Sequence, residues 1–480
     1  DDNMKKRKKN KKMIIFTIIN LFFTILLSYF IFTLNILPLK YSILLVGLLL
    51  IIDIGAVFLI KQKKKGIRII GYIISIILAL ISIVGSYYLS TTNSFLNKAF
   101  DNAVKTYTNT YYVVALKNST LEKTEDLKDQ KIGYYESIPN IEESLTEFNK
   151  KTTTENKKYE SIIELFKDLK TKKISATIIE ENIYEALLED GTTLNKNDYK
   201  IIDKFDLEVE EEQEEIVDDG NSFSVYIGGV DFTEKNTDFN MVVTINKKTH
   251  KILLTSLPRD YYVTISGKGM KELLGYVGYF GINTSRKTVE DLFGINIDYY
   301  VKINTESIVG LVDTLRGVQF CSDSSYTTTH ALVMGSYDDT KGKKLTVSKG
   351  CRTYSGIEIL TIARERKAFV DGDRQRQKNC QDIMISIFKK MANADNITNY
   401  SNILNAVSNL YTTNISKDLI TELARNTVDG ASWTFEQQSV TGRDSSAYVH
   451  LGTVKDYVMI PNTDSIATAQ SNMKKIISGK

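Results

Sequence analysis

Proline, cysteine, histidine and tryptophan are all scarce in this 480-residue chain, at 4, 3, 3 and 1 copies. Four prolines beside 27 glycines exclude a collagenous or low-complexity chain. Three cysteines are too few for a disulfide-dense scaffold. The histidines, at 250, 330 and 450, show no ligand spacing with the cysteines or with one another, which disfavours a zinc site. A surplus of one charge is lacking too: 61 Lys+Arg against 58 Asp+Glu leave +3, so a disordered or wholly nucleic-acid-binding protein is disfavoured and no nucleic-acid partner is expected. The sequence has no GxSxG elbow, P-loop, HExxH or CxxC, which removes most support for a serine hydrolase, an ATPase or a zinc protease. The length suggests roughly two to four domains.

What is present begins with hydropathy. The mean of −0.16 averages a very apolar N-terminal part with a polar remainder. Three apolar runs, Met13 to Leu34, Tyr41 to Ile60 and Ile67 to Ser90, each approach the roughly 20 residues a helix needs to cross a bilayer. They predict three transmembrane helices within 13–90, behind a basic tail at 1–12. Lys5, Lys6, Arg7, Lys8, Lys9, Lys11 and Lys12 precede the first run, and Lys61, Lys63, Lys64, Lys65 and Arg68 separate the second from the third. Both clusters belong on the cytoplasmic side. The expected localisation is therefore a multi-pass protein of the cell membrane with a cytoplasmic N-terminus and everything after the third helix outside. Asp53 lies within the second run, where an ionised carboxylate is costly and is either functional or turned toward the other helices.

Outside the membrane, residues 96–204 alternate strand-like runs (Tyr111 to Leu116, Ile174 to Ile179) with helical patterns (Ile162 to Leu169, Tyr184 to Leu188), as a small α/β accessory domain does. From Phe205 to Asp219 there are nine acidic residues and no basic one, so 205–220 is expected to be an acidic linker. Buried strands at Ser224 to Val230, Met241 to Ile245 and Lys251 to Leu257 open a second α/β domain over 221–395. Residues 396–480 form a C-terminal extension expected to pack on that domain, including a strand-like piece from Tyr448 to Ile460. No internal repeat is found.

Cys321, Cys351 and Cys380 all fall in the external part, where disulfides persist, and allow one bridge and one free thiol. Cys321 with Cys351 is the favoured pair: it closes an insertion of about thirty residues, worth roughly 3 to 4 kcal/mol in the chain-entropy model.

Four polar clusters punctuate the second domain in the manner of a phosphate and metal site. Asp231 ends one strand and Asp238 opens the next, so a tight loop would bring two hard oxygen ligands to one edge; an Asx turn plus a solvated acid is the other reading. Arg259, in SLPRD at 256–260, is placed to fork onto a phosphate or to pair with Asp260. Lys271 taken alone reads as a surface lysine. The richest cluster holds Arg364, Arg366, Asp371, Asp373, Arg374 and Arg376, too alternating in sign for a nucleic-acid patch and suited to neutralising a diphosphate. A salt-bridged helix start is its alternative.

Read in order, IGGVD (227–231), TD (237–238), SLPRDYYV (256–263), YFGINTS (279–285), TVEDLFGINIDYYVKI (288–303), LVDTLRGV (311–318) and RERKAFVDGDRQR (364–376) resemble the catalytic domain of the LytR-CpsA-Psr (LCP) family of Gram-positive bacteria, most closely its CpsA-like branch with an accessory domain. The resemblance implies an α/β fold in which N-terminal transmembrane helices and a small α/β accessory domain precede an α/β/α sandwich with a mixed central sheet and an apolar cavity for a polyprenyl chain. It implies a Mg²⁺-dependent phosphotransferase that moves a glycopolymer of capsule or teichoic-acid type from a polyprenyl-pyrophosphate-linked donor onto a peptidoglycan acceptor. By motif position Asp231 and Asp238 would hold Mg²⁺. Arg259, Lys271, Arg364, Arg366 and Asp373 would be catalytic, and Arg374, Arg376, Gln381, Asp260 and Asp371 substrate-binding. The accessory domain's partner is not implied. A lipid-carrier hydrolase and a non-catalytic, lipid-binding envelope regulator are the competing readings. The chain departs from the family pattern at Asn236, where an Arg is common, at Leu273, Leu274 and Gly275 after Lys271, at Arg316, and at Cys380, which stands beside Gln381 where two adjacent glutamines are usual.

Overall fold

Three helices account for the apolar runs: α1 (Asp2–Leu34), α2 (Leu39–Lys61) and α3 (Lys65–Ala99). The structure is a computed structural model, and it describes residues 2–100, 106–189, 194–210, 220–230, 236–304, 307–333, 342–391, 402, 406, 411–428, 433–449 and 452–479. Pro38, with φ fixed at −52°, sets the start of α2 where its missing N–H costs nothing. Each helix is long and apolar enough to cross a membrane. Large side chains such as Ile51, Ile54 and Phe58 point outward, as lipid-facing residues do. Asp53 is turned inward, where the Thr24 hydroxyl donates to Oδ2 at 2.7 Å. That bond satisfies one carboxylate oxygen within the bundle.

Contacts divide the chain into two units, and everything from 102 to 392 belongs to the second. It opens with a five-stranded sheet: β1 (Thr106–Leu116), β2 (Lys131–Tyr135), α4 (Ile141–Asn149), β3 (Glu155–Tyr159), α5 (Ile162–Lys170), β4 (Ala176–Glu180), α6 (Glu181–Glu189) and β5 (Tyr199–Glu210). The strand order is β3-β2-β4-β1-β5. β2 runs parallel to β3 and β4, and β1 antiparallel to β4 and β5. α5 shows why its sequence is helical: Ser161 caps it, and Ile162, Leu165, Phe166 and Leu169 form one buried stripe. Gly133 is required beneath that stripe, since a Cβ there would meet Leu165 and Ile174 at 2.5 and 2.6 Å.

β5 corrects the linker expected at 205–220. Its acidic residues alternate with Phe205, Leu207 and Val209, a period of two that marks a half-buried strand. Phe205 is buried and stacks on Tyr111 at 5.6 Å, while Asp206 accepts from the Thr110 hydroxyl at 2.8 Å. The rest of that acidic run, 211–219, lies outside the described residues.

Glu180 closes β4 with a buried carboxylate that accepts from the Ile183 N–H at 3.1 Å and the Asn182 amide at 2.8 Å. Burial pushes its pKa from the ordinary 4.5 up to about 7, against those bonds. The folded state thus holds this proton more tightly than the unfolded state. Its stabilising contribution is complete below about pH 4.5 and is lost as pH rises through about 7. Glu180→Gln is expected to flatten that slope and, above the window, to exceed the parent by roughly 2–3 kcal/mol in urea unfolding of the full chain.

The second sheet is built from β6 (Ser222–Val230), β7 (Thr237–Asn246) and β8 (Lys251–Leu257), followed by the small hairpin β9 (Tyr262–Thr264) and β10 (Lys271–Leu273). Then come α7 (Leu274–Val277), α8 (Ile282–Phe293), β11 (Tyr299–Asn304) and α9 (Ser307–Thr314). They are followed by β12 (Val318–Ser322), β13 (Tyr326–Ala331), β14 (Lys344–Val347), β15 (Gly350–Tyr354), α10 (Gly356–Arg364) and α11 (Asp373–Met391). The last elements are β16 (Tyr411–Thr413), α12 (Lys417–Val428), β17 (Thr434–Ser439), β18 (Gly442–Val449), β19 (Val454–Pro461) and α13 (Thr463–Ile477). The six-stranded order is β16-β11-β6-β7-β8-β17, with β6 and β11 parallel and β7 antiparallel to both β6 and β8, so the sheet is mixed. β6 is buried at every position, which requires cover on both faces. On one face Tyr226, Val242 and Leu253 share a core with Val289 and Phe293 of α8 and Met473 and Ile476 of α13. α11 packs on β8 and α9 on β11.

The C-terminal part is less separable than a division at 395 suggests. β16 and β17 are the edge strands of the sheet, and each covers backbone groups that β11 and β8 would otherwise expose. Tyr448 to Ile460 is no single strand but the end of β18, a turn, and β19. α12 clusters instead with the first unit, where Lys417 donates to Asn93 and Asn97 at 2.7 Å each and Arg425 to the Asn35 carbonyl at 3.0 Å. Cys321 and Cys351 face each other across β12 and β15 and form a disulfide, leaving Cys380 as a thiol.

The small and large sheets share one apolar core inside the second unit. Lys268, in the β9–β10 turn, donates to the Ser137 carbonyl at 2.6 Å and lies over the Phe280 ring.

Candidate functional site

β7, the end of β8 and the start of α11 deliver charged side chains to one place. Asp238 is the second residue of β7, and Arg259 and Asp260 follow β8 directly. Arg259 uses Nη1 on Asp238 and Nε on Asp260 Oδ1 at 3.5 Å, so one guanidinium bridges a carboxylate of β7 and that of its own chain neighbour. Asp373 begins α11, where a carboxylate complements the helix dipole. Its Oδ1 accepts from Nε and Nη2 of Arg376 at 2.7 and 2.6 Å, and its Oδ2 from Gln377 at 2.7 Å. Asp373 is thereby engaged on both oxygens and serves as an anchor.

Electrostatics ties these pairs into one cluster. Burial raises the pKa of Asp260; Arg259 opposes that, Asp373 adds to it, and Arg366 and Arg376 pull it down again. Arg366, exposed two residues after α10, is therefore near enough to act on Asp260. Burial works against the charge of Arg259, but Asp238 and Asp260 more than offset it. For Arg376 burial is likewise outweighed, chiefly by Asp373. Cys380 is pushed up to about 11 by burial despite Arg376 and stays a thiol. Its Sγ contacts the Ala363 carbonyl at 3.5 Å, tying α11 to the end of α10.

Several partners of the cluster are not apparent in the sequence. Glu365 is fully buried between Arg364 and Arg366 and accepts from Thr329 Oγ1 at 3.0 Å, from Ala368 N–H at 2.9 Å, and from the N–H groups of Thr329 and His330. Burial would raise its pKa, and those donors hold it below its ordinary range instead. Beside the pinned Glu365, Arg364 is half-buried at the end of α10 and Arg366 is exposed. The one signal was the sign alternation of RER. Tyr457 of β19 is brought beside the cluster because the Met459 N–H donates to the Asp260 carbonyl at 2.7 Å. Burial, then Asp444, which accepts from its hydroxyl at 2.9 Å, and also Asp260 and Asp373 push its pKa up to about 12. Gly275 latches α7 to the site: its N–H donates to the Arg259 carbonyl at 2.8 Å and its carbonyl accepts from Thr237 Oγ1 at 3.1 Å. A Cβ on Gly275 would crowd both Thr237 and Arg259 backbone oxygens at 3.3 and 3.4 Å.

The remaining sequence-derived candidates fall elsewhere. Lys271 is exposed on β10 with Nζ 5.7 Å from the Tyr262 ring, and it pairs with no carboxylate of the cluster among the described residues. Arg364 ends α10. Asp371 and Arg374 line an adjoining cleft of about 370 Å³. Gln381 is buried and gives its amide to the Leu254 and Gln438 carbonyls at 3.4 and 3.2 Å, so it ties α11 to β8 and β17. Asp231 lies outside the described residues. Among the described residues no group of three His, Cys, Asp or Glu surrounds a metal position. Two hard oxygens lie two residues apart in the chain: the Asp238 carboxylate, which Arg259 engages, and Asn236 Oδ1, which is buried without a partner. Both are of the donor class that Mg²⁺ takes.

Chemically, the cluster offers guanidiniums held against half-buried carboxylates at the rim of a cleft, which suits a phosphate diester or anhydride. A profile of the LytR_cpsA_psr family matches residues 192–475, more than half of the chain. The chain belongs to the LytR_cpsA_psr family. Among relatives in the LytR_cpsA_psr family, it is similar to the polyisoprenyl-teichoic acid--peptidoglycan teichoic acid transferase TagT of Bacillus subtilis (strain 168), 32% identical over 42% of this chain and 62% of TagT. The transferase TagU of the same organism is 30% identical over 50% of this chain and 76% of TagU. The chain thus spans less than two thirds of TagT. The crystal structure of B. subtilis TagU overlays with a TM-score of 0.40 at 27% identity, covering 53% of this chain and 96% of that one.

Proposed function

We propose that the chain is a cell-wall glycopolymer phosphotransferase that moves a polyprenyl-pyrophosphate-linked glycan, of capsule or teichoic-acid type, onto peptidoglycan. The observation that carries this is the bridged cluster Asp238–Arg259–Asp260 beside Asp373–Arg376. Membership of a family whose relatives TagT and TagU are named as teichoic acid transferases supports it. The CpsA-like branch is our assignment, from the accessory sheet that follows the membrane helices and precedes the cluster in the chain. The basic flanks of the helices support a cytoplasmic N-terminus and a catalytic part outside the cell.

In the proposed reaction an acceptor sugar hydroxyl attacks the phosphorus that carries the glycan. A new P–O bond forms as the pyrophosphate P–O bond breaks, and polyprenyl phosphate leaves. Arg259 and Arg366, with Arg364 and Arg374 flanking, neutralise the charge that gathers on the phosphates. Arg376 and Asp373 hold α11 in register. Asp260 takes the hydroxyl proton, a role that its raised pKa favours. Lys271 reaches the donor only from its perch on Tyr262 and is assigned to the outer phosphate. Asp238, with Asp231 and the Asn236 oxygen, is our candidate set for Mg²⁺, which when bound supplies further charge neutralisation.

The test uses the full chain in detergent with a synthetic polyprenyl-pyrophosphate oligosaccharide, a peptidoglycan oligomer and Mg²⁺, followed by mass spectrometry beside Arg364→Ala. A phosphodiester-linked conjugate that drops at least tenfold in the variant is expected, the scale of one lost charge-assisted contact. Free phosphorylated glycan would point to a hydrolase instead. Bound but unreacted carrier would point to a lipid-binding regulator.

A further inference from the structure

Beyond the charged cluster, α11 carries a second polar face. Asp373, Arg376, Gln377 and Cys380 follow the spacing i, i+3, i+4, i+7 and turn toward the cluster, whereas Arg374, Lys378 and Gln381 repeat i, i+4, i+7 on the neighbouring face. That second face forms one wall of the cleft of about 370 Å³, and Gln437 to Ser439 of β17 form the other. The volume lies in the range of small-ligand sites. Its lining is amide, hydroxyl and charge, without one aliphatic or aromatic side chain. A polyprenyl chain would find little apolar surface to bury against, and a base no aromatic ring to stack on.

The walls are fixed by side-chain hydrogen bonds, some of which join α11 to β17. Gln438 donates to Thr255 Oγ1 at 2.8 Å and accepts from Asn472 at 2.9 Å, which fixes β17 against β8 and α13. Gln375 is oriented by Asn379 at 2.9 Å and Gln437 by Asp382 at 3.0 Å. Arg374 makes no ion pair among the described residues. Oriented amides that both donate and accept, with a cation at one end, match the hydroxyls and acetamido groups of a sugar and a phosphate or carboxylate attached to it.

We propose that the cleft between α11 and β17 is a saccharide subsite, holding a short glycan whose anionic end lies at Arg374, one residue from the Asp373–Arg376 pair. The inference rests on the transferase reading and names where its glycan sits. Donor and acceptor both carry such sugars, so the test has two arms. In one, the ligand is a soluble glycan phosphate without the polyprenyl tail; in the other, it is an uncrosslinked peptidoglycan oligosaccharide.

Binding of each, supplied singly so that no transfer can occur, to the full-length protein in detergent is followed by saturation-transfer NMR and titration. Gln437→Leu is expected to weaken the glycan that occupies the cleft about tenfold, the scale of one or two hydrogen bonds to a sugar. Lys378→Ala, whose partner is the exposed Asp323, is expected to weaken the occupying glycan, anionic in either arm, by a similar factor. An unchanged melting temperature checks that each variant is folded. If wild-type protein binds neither glycan, or if both variants bind both glycans as tightly as the parent, the subsite is refuted. If conjugates form while the cleft variants bind normally, the subsite falls and the transferase reading stands. Glycan binding lost in the variants of a protein that never transfers would have the converse meaning.

Discussion

Alanine at Arg376 is expected to lower the unfolding free energy by about 3–5 kcal/mol, the range for removing one partner of a buried ion pair. Arg376 is 7% exposed, and both Nε and Nη2 are committed to one oxygen of Asp373. Without it Asp373 keeps Gln377 as its one remaining side-chain donor among the described residues. It also stays close to Asp260, whose proton it already helps retain. The loss should therefore exceed the value of the pair itself, because an uncompensated carboxylate is left behind. Pairing Arg376→Met with Asp373→Asn is expected to recover more than half of the deficit, since the charge is removed together with its partner. Urea unfolding of the two variants beside the parent measures this. A double variant as unstable as Arg376→Ala would mean that packing, not charge, sets the cost. Activity should stay low in both, because α11 also places Arg374 beside the cleft.

Much of the architecture was legible where signals are local. The three apolar runs became α1 to α3, and the starts and ends of β6, β7 and β8 fell within a few residues of the hydrophobic pattern. The clustering of Asp238, Arg259, Asp260, Arg366, Asp373 and Arg376 follows from β7 and β8 meeting the segment from the end of α10 to the start of α11, which ordered motifs imply without giving distances. What was missed depended on distant partners. β5 was hidden because nine acidic residues in one run outweighed its alternation of Phe205, Leu207 and Val209. β16 and β17 are strands because β11 and β8 needed edges, and no local pattern in Tyr411–Thr413 states that. Glu365 reads as a surface acid in RER, yet it is buried because the backbone of β13 donates to it. Gln381 also gives its amide to the Leu254 and Gln438 carbonyls, two partners far away in the chain that motif position does not reveal.

Arg259→Ala is expected to reduce transfer about 10²- to 10³-fold, the usual loss for one donor aimed at charge that develops in the transition state. Arg259→Lys separates two contributions that alanine removes together. Lysine keeps the positive charge near the phosphates but loses the fork that spans Asp238 and Asp260, so it should recover only part of the rate. The pH profile adds a sign that a merely structural role would not produce. Burial raises the pKa of Asp260, and Arg259 is the first of the charges that pull it back. With the arginine gone, the carboxyl holds its proton to higher pH. A base must be deprotonated to act, so the acidic limb of the rate profile should move to higher pH in Arg259→Ala and less far in Arg259→Lys. Single-turnover rates across the acidic range, at saturating donor, measure the limb free of binding effects. A limb that stays in place while the rate falls would leave Arg259 its phosphate contact and take the proton-accepting role away from Asp260.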